Sequence, residues 1–185
     1  YENCSNLGFN YISERDEGIY DAWNKAIAVI DESYVAFLGV TDRIHQSFKF
    51  ESVLHNDITV YDFFRSYSDK QIRVNIPEKI FRKFPFSPRF CFSSAIFSRS
   101  LLVKKPFDKR FKIIGDLAWC KHNIEDKKTD VVSYPFCMFD MGGVSNETKA
   151  HMKRLNEYRR VSSGFGWFLN FVTYSILSSL KVFNR

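Results

Sequence analysis

The chain is expected to fold as an α/β protein with three layers built around a mixed central sheet. Residues 18–30, GIYDAWNKAIAVI, space apolar side chains three and four apart, the period of a helix that buries one face. A short polar break follows at residues 31–33. Then comes YVAFLGV, residues 34–40, an apolar run of the length of a strand buried on both sides. Helix, tight loop and buried strand in succession indicate helices laid on a sheet. The strand at 34–38 is therefore expected to be central and flanked by the helix at 18–30.

In the first helix Ile19, Trp23, Ala26, Ile27 and Ile30 form the expected buried stripe, and Asp16 and Glu17 place negative charge where a helix N-terminus favours it. Residues 43–54 read as a second helix with Ile44, Phe48 and Val53 inward. Ile58 to Phe64 reads as a strand. Residues 65–88, polar and carrying Pro77, Pro85 and Pro88, read as an irregular loop. Phe90 to Phe97 reads as a strand leading into a helical turn at 99–103. A helix begins near Asp116 and runs to Asn123, and Val131 to Phe139 is a further strand. Gly142 and Gly143 mark a turn, and residues 146–160 form a basic helix. In the tail, Phe165, Phe168, Leu169, Val172, Ile176, Leu180 and Phe183 share one helical face, so residues 165–183 read as an amphipathic helix.

Composition narrows the class. Hydrophobic residues make up 45% of the chain and aromatic residues 17%, enough for a packed core and against wholesale disorder. The formal net charge of +6 comes from short, dispersed basic groups without a nucleic-acid-binding motif, so no nucleic-acid partner is expected. The four cysteines include no CxxC pair and no His at zinc-finger spacing; they read as reduced thiols of a cytosolic protein. The uncharged stretch from Val161 to Leu180 is long enough to span a bilayer but too polar to favour that. Two placements remain for this helix, the membrane interface or the domain core, and the first is preferred.

Four segments, taken in order, carry a resemblance. ISERDEGIYDAWNKAI at 12–27, FLGVTD at 37–42, PFDKRFKIIGD at 106–116 and GGVS at 142–145 resemble successive motifs of glycosyltransferase family 2. The resemblance implies a GT-A-like (Rossmann-like) fold whose first strands are missing here, which would leave the sheet with an unpaired edge. It implies residues 1–145 as a partial catalytic domain and 146–185 as a basic helical tail. It also implies an inverting, metal-assisted transfer of a sugar from a nucleotide-diphosphate donor to a cell-surface polysaccharide or lipid-linked acceptor.

Residue by residue, the resemblance makes Asp116 the catalytic base and Asp42 the contact for Mn²⁺ or Mg²⁺. It places Asp16, Gly18, Asp21 and Asn24 at the donor, and Gly142, Gly143 and Ser145 on the acceptor side. The chemistry suits these residue types. A diphosphate leaving group needs a hard cation, which takes carboxylate oxygen, and the acceptor hydroxyl needs a base. A helix cap is the alternative role for both Asp42 and Asp116. Thr41, Ala26, Ser93 and Ser94 depart from the family pattern, and the departures keep a non-catalytic remnant as the second reading. The implied location is cytoplasmic, peripheral on an anionic membrane surface.

Overall fold

The computed structural model describes residues 10–49, 56–67, 69–82, 87–124, 129–141 and 151–161. They form a mixed α/β fold. In chain order come α1 (Ile19–Val29), β1 (Tyr34–Ala36), β2 (Arg43–Ile44), β3 (Ile58–Ser66), β4 (Gln71–Val74), β5 (Phe81–Arg82) and β6 (Ser87–Pro88). A 3₁₀ turn (Phe92–Ser94) leads into β7 (Ala95–Ser98), then α2 (Arg99–Lys104), α3 (Gly115–Asn123), β8 (Thr129–Asp140) and α4 (His151–Val161). The main sheet runs β1-β7-β3-β8-β2, with β4 paired to β3, while β5 and β6 form a separate ribbon. The β3–β8 pair is parallel, and the other pairs are antiparallel.

The centre of the sheet is β3. Its residues Ile58 to Phe63 are all buried, so both faces are covered there. Phe97 of β7 lies between Val35 and Ile58 in the pairing, and these three share a face. On that face Phe97 meets Phe92 at 4.6 Å and Trp119 of α3 at 5.5 Å. Trp23 of α1 joins the same cluster, 4.3 Å from Phe37 and 5.3 Å from Phe107. The opposite face carries Tyr61, which meets Phe48 at 5.4 Å and Phe136 at 5.7 Å.

Several expectations are corrected. The strand at 34–40 ends at Ala36 and stands at the end of the strand order, with β7 as its neighbour among the described residues. It is not central, because β3 occupies that place. Of the apolar run only Phe37 is buried; Leu38 and Val40 are exposed. The helix expected at 43–54 is not seen in its described part. Arg43 and Ile44 instead pair with Met138 and Cys137 of β8, and both are exposed. A turn from His45 follows, closed by Phe48 N–H donating to His45 O, and Val53 lies outside the described residues. The segment 65–88 is not a plain loop. Strand β4 folds back on β3 there, pinned by Arg73 on the buried Asp62 at 2.8 Å, and the β5–β6 ribbon follows. In α1 the buried stripe runs through Tyr20 and Ile27, whereas Ile19 is exposed. The turn at Gly142 and Gly143 and the amphipathic tail at 165–183 fall outside the described residues. Among those residues, no helix is long and apolar enough to cross a membrane.

Candidate functional site

Asp116 stands in the first turn of α3, two residues after the N-cap Ile114, so it does not cap the helix. Its Oδ1 accepts from the Tyr20 hydroxyl at 3.1 Å and from Leu117 N–H at 2.9 Å. The residue keeps some exposed surface, but the atoms around its carboxyl exclude water, and this desolvation pushes its pKa above the ordinary carboxyl value. The two hydrogen bonds act in the opposite direction, and the charge of Glu157 adds to the rise. Tyr20 is itself buried. Desolvation, and then the Asp116 charge beside it, hold its phenol far above the usual value, so it stays a neutral donor. Its hydroxyl also lies 2.9 Å from Ile113 O. The contact explains Gly115: a Cβ there would come within 2.6 Å of the Tyr20 ring.

The segment leading to Asp116 is tied to α1 along its length. Asn24 engages both backbone groups of Phe107, its Nδ2 donating to Phe107 O at 2.8 Å and its Oδ1 accepting from Phe107 N–H at 2.9 Å. Lys112 Nζ donates to Glu17 O, and Lys109 pairs with Glu17 at 3.2 Å. Asp16 Oδ1 accepts from Gly18 N–H at 2.8 Å, and Asp21 Oδ2 accepts from Glu17 N–H at 2.9 Å. Gly18 has φ 122°, a conformation that L side chains avoid, which fixes glycine at the head of α1. The Glu17 amide, and then the cations Lys25 and Lys109, hold the Asp21 carboxyl below its ordinary range. Thus Asp16, Gly18, Asp21 and Asn24, expected at the donor, here shape the start of α1 and fasten it to the segment 106–116. The first and third motifs are packed together.

Asp42 forms a second locus. It does not cap a helix, since β2 follows it. It closes a turn with Gly39 through Asp42 N–H to Gly39 O at 3.1 Å and Gly39 N–H to Asp42 Oδ2 at 2.9 Å. Ser93 Oγ donates to the same oxygen at 2.8 Å, and Asp140 N–H donates to Oδ1 at 3.1 Å. The serine at a departure from the family pattern therefore lies directly on the expected metal contact. An ionised carboxylate offers about four acceptor positions. With these three bonds, room for one further partner remains. Among the described residues no three His, Cys, Asp or Glu gather as metal ligands. A Mg²⁺ or Mn²⁺ ion shared with substrate phosphates needs only one or two protein carboxylates, so Asp42 fits that sparse mode.

The charge of each locus bears on one thiol, Cys91. Burial pushes Cys91 up to about 12, and the charges of both Asp42 and Asp116 add to that rise. Both carboxylates thus act on a single side chain beside the 3₁₀ turn. The expected acceptor-side residues Gly142, Gly143 and Ser145 lie outside the described residues. A cavity of about 690 Å³ opens between the 106–111 loop, α3 and Arg160, with Asp108, Arg110 and His122 on its wall. Neither Asp42 nor Asp116 lines it.

Sequence reasoning passed over Glu157. This residue is buried, and its carboxylate accepts from three successive amides: Lys112 at 2.7 Å, Ile113 at 3.0 Å and Ile114 at 3.0 Å. A glutamate in a basic helix reads as surface. The signal in the sequence is Val161, an apolar residue four positions on, which shares a helix face with Glu157 and is buried. Compared with known families, characterised proteins and solved structures, the chain matches no family model, no characterised protein and no solved structure.

Proposed function

We propose that the chain carries the catalytic-base and metal-contact segments of a family-2, GT-A-type glycosyltransferase. In this reading it moves a sugar from a nucleotide-diphosphate donor to a polysaccharide or lipid-linked acceptor at an anionic membrane surface. The observation that carries the reading is the environment of Asp116: a desolvated carboxyl of raised pKa, oriented by Tyr20 and by the backbone of its own helix. A base works best when its pKa approaches the operating pH, and burial moves an aspartate in that direction. Asp116 would take the proton of the acceptor hydroxyl. Tyr20 holds the carboxyl in one rotamer, and the α1 contacts through Asn24 and Lys112 fix the backbone that delivers it. Asp42 would hold Mn²⁺ or Mg²⁺, which when bound neutralises charge developing on the diphosphate.

A non-catalytic remnant is the second reading, favoured by the three hydrogen bonds that already occupy Asp42. Turnover of a panel of nucleotide-diphosphate sugars with Mn²⁺ separates the two. The enzyme reading expects metal-dependent transfer or donor hydrolysis. It also expects Asp116→Asn to lower turnover by about 10²–10⁴-fold with donor affinity nearly unchanged, because the loss is confined to the chemical step. Full turnover by Asp116→Asn removes the base assignment, and metal-independent silence with every donor favours the remnant.

A further inference from the structure

We propose that Glu157 is the positioning residue of the Asp116 site: reaching across from α4, its carboxylate holds the backbone of residues 112–114 in the conformation from which α3 starts. The role rests on the reading of Asp116 as a general base. Its geometry is independent of that reading. Three consecutive amides converge on the two oxygens of one buried side chain, Lys112 N–H on Oε1 and Ile113 and Ile114 N–H on Oε2. Hydrogen bonds to an ionised acceptor are the strong kind, and an apolar or singly accepting side chain could not satisfy all three donors. These amides directly precede Gly115, where α3 begins, and Ile114, the N-cap, makes no side-chain capping bond of its own. Glu157 supplies negative charge from outside the helix, beside the end where a helix dipole favours it. Two residues later the same backbone presents Asp116. A displacement of 112–114 is therefore passed to the Asp116 carboxyl and to its contact with Tyr20, whose hydroxyl also touches Ile113 O.

Glu157 has a second effect that a purely structural clamp would lack. The groups acting on or near Asp116 are Tyr20 from α1, Cys120 one turn along α3, Cys91 ahead of the 3₁₀ turn, and Glu157 from α4. Burial pushes the phenol and both thiols up, and of this set Glu157 is the group whose charge raises the Asp116 carboxyl. Desolvation raises the Asp116 carboxyl most, and the Glu157 charge adds to that rise and so to its strength as a base.

The experiment uses the full chain and two variants. Glu157→Gln removes the charge and replaces one acceptor oxygen by a donor. Glu157→Asp keeps the charge but withdraws it by one methylene. Amide exchange at Lys112, Ile113 and Ile114 is expected to quicken in both. A carboxyl-carbon NMR titration of Asp116 is expected to move to lower pH in Glu157→Gln and to stay closer to wild type in Glu157→Asp. In the transfer assay both variants should lose about 10²-fold in kcat, the scale of a 1 Å misplacement of a reacting group, with donor KM unchanged. The acid limb of the pH profile should shift down in Glu157→Gln alone. An Asp116 titration that does not respond to Glu157→Gln, or an unchanged kcat in either variant, overturns the proposal. If Glu157→Gln does not fold, Glu157→Asp decides through exchange and kcat. If the wild-type chain transfers no sugar, the proposed function fails, while exchange and titration still decide whether Glu157 governs Asp116.

Discussion

The Asp116 carboxyl accepts hydrogen bonds from Tyr20 and Leu117 while the crowding around it disfavours its charge. Its folded-state pKa is raised, so between the unfolded carboxyl value and the folded one the native chain binds more protons than the unfolded chain. Stability from this group therefore falls as pH rises through that window, and the loss is complete above the folded pKa. Asparagine has the same shape, keeps Oδ1 for both donors and carries no charge. Asp116→Asn is accordingly expected to resist urea better than wild type at about pH 7, with the gap closing as pH falls toward about 4, the ordinary carboxyl range. Equal or lower resistance of the variant at neutral pH would show that hydrogen bonding outweighs desolvation. Asp21 and Asp108 have the opposite sign. Their pKa values are lowered, by the Glu17 amide and by the Arg110 side chain respectively, so what they contribute is present above the unfolded carboxyl value and is lost on acidification. Both are surface pairings that salt screens.

At the scale of elements, Asn24 is the side chain of the junction between α1 and the segment 106–116 that bonds both backbone groups of one residue. Asn24→Ala leaves the Phe107 N–H and C=O without their partner at a half-buried contact, a loss of about 1–3 kcal/mol. Alanine returns roughly 0.5 kcal/mol through its helix propensity. The net expectation is a lower urea midpoint with an unchanged m-value, and a midpoint at or above wild type would mean that water replaces both bonds. The sequence pattern read α1 and β3 well, because the first has an apolar period and the second an apolar run buried on both faces, whereas α3 was marked by Asp116 near its start and has almost no apolar period. Residues 34–40 misled because strand burial depends on neighbours in the sheet: the apolar letters of Leu38 and Val40 are the same whether β1 is central or terminal. The 43–54 reading failed for a related reason. Ile44 and Phe48 have helical spacing, yet Ile44 lies on an exposed strand edge and Phe48 reaches back over Tyr61. Strand β4 was hidden because QIRV is mostly exposed and is held by the pair Arg73–Asp62, whose members lie eleven residues apart. In the site, Asp42 and Asp116 were legible as acids beside recognisable segments. Ser93 on Asp42 and Glu157 on 112–114 were not, since both contacts join residues more than forty positions apart.

For the whole molecule, charge and tail together bear on where it works. The net charge is +6, and the last turn of α4 carries the exposed pair Arg159 and Arg160, ahead of the apolar and aromatic tail. That tail lies outside the described residues. Trp167, Phe168, Phe171 and Tyr174 are the residue types that settle at a bilayer interface. Lys153, Arg154, Arg159 and Arg160 lie upstream, and Lys181 and Arg185 lie beyond them. Each basic residue near an anionic leaflet contributes about 1 kcal/mol, and apolar burial adds to this without a spanning helix. Sedimentation with vesicles containing about one-third phosphatidylglycerol is therefore expected to carry the full chain down at low salt. Binding should weaken as salt shortens the screening length, and should largely disappear when residues 161–185 are removed. Neutral vesicles should bind less, since only the apolar contribution remains. Equal binding by the truncated chain would assign the membrane contact to the α/β body, and binding indifferent to salt would mean that the basic residues do not contribute.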